Sequence, residues 1–232
     1  MTSRRPPGPI EAHDLPATID AHVMTPGPNP RLHGYGVEDD LALHYRFSEL
    51  VLLALTGAPP DEARGRAFEV ALQFLAPLAI TEAPTHAAVL AQVCGAQSSS
   101  VIAVASIALA ERARHVVAEY GELLLWLGKG DTQLPPRCHG PSGDDRACVE
   151  RLKQALRRAG VCEVPGLALG PNRWTAILMT LYFAGLRRSD QWEAALVLAS
   201  LAPVLAEAQS HLPGSFEQYP MDLPPFVYEE DR

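Results

Sequence analysis

The chain has 232 residues, a length for one large domain or one domain with a small cap, and 47% of them are apolar, enough for a continuous core. Its net charge of −8, with no basic run longer than isolated pairs such as Arg157-Arg158 and Arg187-Arg188, argues against a nucleic-acid-binding stripe. The longest apolar run, residues 101–110, is too short to span a bilayer.

Only 6% of residues are aromatic, and Ala and Leu dominate, which favours helix over sheet. Residues 1–9 carry two arginines with no apolar run behind them, so no secretory signal is read there and a cytoplasmic protein is expected. Cys94, Cys138, Cys148 and Cys162 form no CxxC pair. They are expected as reduced packing thiols, and Cys138, His139, Cys148 and Cys162 match no familiar zinc-ligand spacing.

Residues 1–30, rich in proline and glycine, read as an extended arm. The acidic turn Glu38-Asp39-Asp40 suits a helix N-terminus and leads into a short segment ending at His44. Residues 47–55 read as an apolar helix stopped by Thr56-Gly57 and Pro59-Pro60, and Asp61 restarts a helix running to Phe74. Residues 85–110 are apolar nearly all round and rich in Gly, Ala and Ser. This predicts one helix buried on all sides, in the centre of the subunit or in a dimer interface.

Residues 116–127 continue as helix to a stop at Gly128-Lys129-Gly130, and residues 131–145 form a Pro/Gly-rich loop. An amphipathic helix is expected at 147–158, then helices at 174–183 and 191–209, the last kinked by Pro203, and an irregular tail from 213 to 232. No convincing strand appears, so the expected class is all-α.

Three segments together resemble the citrate synthase and citryl-CoA lyase superfamily. Residues 32–39 (LHGYGVED), with FSEL at 47–50 and LALTGAPP at 53–60, are similar to its opening region. Pro84-Thr85-His86 is similar to a histidine-bearing helix start, and residues 107–118 (IALAERARHVVA) align without a gap on the stretch around its central histidine. The resemblance covers roughly residues 31–228. It implies a citrate synthase-like helical fold over residues 31–232 with a large and a small subdomain, the small one at approximately 131–190.

The resemblance also implies a reaction that makes or breaks the carbon–carbon bond between an acyl-CoA and an oxo- or hydroxy-polycarboxylate. His115 would hold the thioester oxygen and His139, in Pro136-Arg137-Cys138-His139-Gly140, would contact the keto acid; these are the expected catalytic pair. Arg146, whose guanidinium fork suits a carboxylate, and His86 would bind substrate. Acyl-CoA is expected as cosubstrate, with no permanently bound cofactor and no metal. The expected assembly is a homodimer, or a heteromer with a paralogue, free of nucleic acid and membrane.

The chain departs from the family pattern around these residues. Gly-Pro and Gly-Gly beside the central histidine are replaced by Ala113-Arg114 and by Val116-Val117, whose branched side chains fill space that glycine leaves open. The family's proton-abstracting aspartate would lie just before Trp174, where Gly170-Pro171-Asn172-Arg173 offers no carboxylate and Asn172 cannot act as a base; Asp144 and Glu163 are the nearest carboxylates by position. Ser200 and Asp222 stand in place of two arginines.

Plainer readings accompany each residue. His86 can be an ordinary helix-start residue, and His139 a loop residue pointing anywhere. His115 can pair with Glu111, and Arg146 with Asp144 or Glu150. Two alternatives to an enzyme follow: a catalytically impaired family member acting as a regulatory or scaffold subunit, and an unrelated helical binding module.

Overall fold

The computed structural model describes residues 21–130, 133–140 and 143–214; of Asp144 it describes the backbone alone. Most of the arm and of the tail, Asp222 included, therefore lie outside the described residues.

Three two-residue strands open the described chain: β1 (Met24–Thr25), β2 (Arg31–Leu32) and β3 (Tyr35–Gly36), paired antiparallel in that order. This meander takes in residues expected to belong to the arm. Its anchor is Leu32, buried against Leu41 and Leu53. The acidic turn at Val37–Leu41 is a π-helical turn that runs into α1 (Ala42–His44).

α2 (Phe47–Thr56) ends at Gly57 in the left-handed region, φ 77°, as its sequence foretells. Asp61 then caps α3 (Glu62–Leu75), accepting from the Arg64 N–H at 2.8 Å. The single helix expected over 85–110 is two helices, α4 (Ala83–Val93) and α5 (Ser98–Glu119). Gly95, at φ 77°, turns the chain between them, a conformation open to glycine at no steric cost.

α5 is also not buried on all sides. Val101, Ala105, Leu109, Ala113 and Val116 form the covered stripe, while Ile102, Val104 and Ile107 are exposed. α6 (Gly121–Lys129) follows after a break at Tyr120. α7 (Gly143–Arg158), α8 (Arg173–Ala184) and α9 (Ser189–Ser210) complete the helices, and α9 runs on through Pro203. Among the described residues no helix is long and apolar enough to cross a membrane.

The helices pack as two joined clusters. α4, α5 and α9 lie together around Val89, Val101, Leu109 and Val204. α2, α3, α7, α8 and the start of α9 enclose a larger core with Phe68, Leu152, Ile177, Leu181 and Trp192 at its centre. α9 belongs to both. Two cysteines, Cys138 and Cys148, are buried packing thiols as expected, but Cys94 and Cys162 are exposed.

Phe68 is fully buried between α3 and its neighbours. Phe68→Ala is expected to lower unfolding free energy by about 3–5 kcal/mol in urea denaturation, the cost of a vacated aromatic site in a tight core. A loss under about 1 kcal/mol would place this ring outside the core described.

Candidate functional site

The N-terminus of α8 holds the loop that carries His139. Asn172 caps the helix: Oδ1 accepts from the Thr175 N–H at 2.8 Å, while Nδ2 donates to the Arg137 carbonyl at 2.9 Å. The backbone joins in, Asn172 N–H donating to the Cys138 carbonyl at 2.9 Å and Gly140 N–H to the Gly170 carbonyl at 3.1 Å. His139 and Pro171 form an antiparallel bridge between these bonds. A Cβ on Gly140 would lie 2.8 Å from the Pro171 carbonyl oxygen, so only glycine lets the two strands of backbone come this close.

α5 reaches the same helix start from the other side. The Arg112 guanidinium lies 5.3 Å from the Trp174 ring centroid and donates to the Glu82 carboxylate at 2.9 Å. Tyr120, at the far end of α5, meets the Asn172 side chain. Burial pushes its phenol above the ordinary tyrosine range, and the hydrogen bond with Asn172 pulls the other way.

His139 is fixed beside the α8 start by its bridge to Pro171, and its side chain is exposed. His115 lies on α5 between Arg112, which meets Trp174, and Tyr120, which meets Asn172, and its side chain is exposed.

The surroundings of these residues differ from expectation. Glu111 pairs with Arg114 at 2.6 Å instead of with His115; the His115 ring has Glu119 at 3.9 Å and is 76% exposed. Val116 and Val117 do not fill space beside His115, because both turn into the core. Arg146 is exposed on the first turn of α7, and Glu150 is taken by Lys153 at 2.8 Å, which holds the carboxyl below its usual range. His86 is exposed in the first turn of α4, next to the Glu82–Arg112 pair.

Ser200 cannot touch a ligand: it is buried, and its hydroxyl donates to the Leu75 carbonyl at 3.0 Å. Glu163 is exposed and lines a separate small cavity with Lys153 and Arg157. Thr175 Oγ1 is buried without a hydrogen bond of good geometry; the Cys138 thiol beside it is pushed up by burial. Among the described residues no group of three His, Cys, Asp or Glu side chains could hold a metal.

Four cavities stand out, and none has His86, His115, His139 or Arg146 in its lining. One of about 510 Å³ adjoins the α8 start, between α3 and α7, and is lined by Arg151 and Arg173 together with Gln73, Phe74, Asp145 and Cys148. These two arginines escaped the sequence reading. Arg173 directly follows Asn172, and that adjacency was the available signal.

No family model and no curated protein sequence matches the chain. Solved structures do match its fold. Citryl-CoA lyase from Hydrogenobacter thermophilus superposes with a TM-score of 0.64 at 16% identity, over 92% of this chain and 96% of that one. ATP citrate lyase from Methanothrix soehngenii, in complex with citrate and coenzyme A, gives 0.59 at 12% identity, over 100% of this chain and 46% of that one. A mutant ATP citrate lyase from Methanosaeta concilii, in complex with (3S)-citryl-CoA, gives 0.59 at 12%, over 98% and 45%. The chain thus spans just under half of the ATP citrate lyase chains and nearly all of the citryl-CoA lyase.

The fold is the all-helical citrate synthase-like fold, as the sequence led us to expect. In extent and topology it is, more particularly, the fold of citryl-CoA lyase.

Asn172→Ala is expected to cost about 2 kcal/mol in urea denaturation, combining a lost cap with an unpaired Arg137 carbonyl. Backbone amide exchange at 138–140 should accelerate with it. Unchanged exchange there would show that the loop is held by something other than Asn172.

Proposed function

We propose that the chain descends from the citrate synthase and citryl-CoA lyase superfamily and cleaves a citryl-CoA-type thioester into an acyl-CoA and an oxo acid. The observation that carries this reading is the state of Asn172. Its amide is committed on both sides, to Thr175 and to Arg137, and offers no basic lone pair.

Condensation begins by pulling a weakly acidic methyl proton from acyl-CoA, which needs a carboxylate at this position. Cleavage begins elsewhere. The hydroxyl proton of the citryl group passes to the His139 imidazole, the O–H electrons form the ketone, and the carbon–carbon pair moves into the thioester. His115 donates to the enolate oxygen that results. Water then protonates the enolate carbon, and the hydroxide left behind takes back the proton held on His139, which restores the neutral imidazole. Of the two directions, cleavage asks less of a chain that lacks the carboxylate.

In this reading Arg146, Arg151 and Arg173 would take carboxylate and phosphate groups as bidentate anchors, and His86 would contribute a further donor at its helix start. Acyl-CoA is thus a product and no resident cofactor is required. The exposed Ile102, Val104 and Ile107 of α5, with Leu198 of α9, suit an interface with a second copy or with a paralogue. A cytoplasmic setting accords with four free cysteines.

A second reading, a non-catalytic scaffold subunit, is favoured by the 76% exposure of His115 and by the absence of His115 and His139 from the linings of the four cavities described.

Incubation with (3S)-citryl-CoA should release acetyl-CoA and oxaloacetate, and His139→Ala should slow that release by about 10²–10⁴-fold, the usual span for a lost acid–base group. Binding of citryl-CoA without release, or no binding at all, would overturn the cleavage reading and leave the scaffold reading ahead.

A further inference from the structure

A cavity of about 590 Å³ opens between the end of α6, residues 165–169 and the second half of α8. Its far wall at Tyr182 is ten residues from Asn172, about 15 Å along a helix, while Leu169 on its near wall is two residues from Pro171, the bridge partner of His139; neither His115 nor His139 lines it. Its volume falls in the range of small-molecule sites. Trp126, Leu127, Leu169, Met179 and Phe183 give it apolar walls. The close packing is local: a Cβ on Gly166 would lie 2.9 Å from Met179 Cε, so glycine there keeps this wall of the cavity thin.

Its polar character is concentrated in Arg187. That guanidinium lies 3.6 Å from the centroid of the Tyr182 ring, and among the described residues no carboxylate pairs with it. The adjacent Arg188 is bound to Asp190 at 2.7 Å, and Arg112 on α5 to Glu82. A cation held flat against an aromatic face at an apolar cavity selects a ligand with one negative charge and an apolar body.

The charge count excludes other occupants. A polycarboxylate or a coenzyme A needs several cations, and one is present. A neutral apolar ligand would fill the walls and leave the guanidinium unused. We propose that this cavity binds an amphipathic monocarboxylate, its acyl chain lying over Trp126, Met179 and Phe183 and its carboxylate meeting Arg187. The proposal stands on this cavity alone and does not depend on the cleavage reaction.

Titration of the full chain with decanoate and with decanol, followed by calorimetry and tryptophan fluorescence, tests it. Decanoate should bind saturably at one site, and decanol about tenfold more weakly, the worth of one charge-assisted hydrogen bond. Arg187→Gln, a surface change, should weaken decanoate about tenfold and leave decanol unchanged. Leu169→Trp, at a half-open wall position, should block both. No saturable binding, equal affinity for the alcohol, or indifference to Arg187→Gln would each overturn the proposal.

Discussion

The side chain of Asn172 is the constraint on which the site depends. One oxygen caps α8 and one nitrogen holds the 136–140 loop, so a single amide fixes the angle between a helix and the segment bearing His139. Tyr120 ties the end of α5 to the same amide. Remove the amide and three segments lose their common anchor. The cap bond to Thr175 is partly buried and the bond to the Arg137 carbonyl is exposed, so the first carries more of the stabilisation than the second.

That structural duty has a chemical consequence. A helix N-terminus stabilises a negative charge, and a carboxylate there can both cap and act as a base. An amide caps equally well and cannot accept a proton. Under the proposed cleavage reading this matters, because the first proton transfer there is at an alcohol and needs no carboxylate at residue 172. Ser200 shows the same exchange elsewhere, a buried hydroxyl satisfied by the Leu75 carbonyl where a ligand-binding cation was expected.

Much of the fold was legible in the sequence. Asp61 and the Thr56-Gly57 step mark helix ends through local chemistry, a side-chain cap and a left-handed residue, and local chemistry can be read without coordinates. The break at Gly95 was missed because the small residues around it suit a continuous helix as well as a turn, and tertiary packing decided between them. The exposed face of α5 was missed for a related reason. Periodicity gives apolar content, but which side is covered depends on where α4 and α9 lie. At the site, His139 and Asn172 were found by their neighbours in sequence. The Glu82–Arg112–Trp174 cluster joins residues 30 and 62 positions from Arg112, a separation that spacing alone does not reveal.

The account turns on Asn172 serving as a cap in a position built for a base. Replacing it by aspartate retains a good N-cap and restores a carboxylate. Acetyl-CoA incubated in D₂O should then exchange its methyl protons with the Asn172→Asp variant and should not do so with the native chain. Exchange by the native chain, or its absence in a folded variant that still binds acetyl-CoA, would contradict the account.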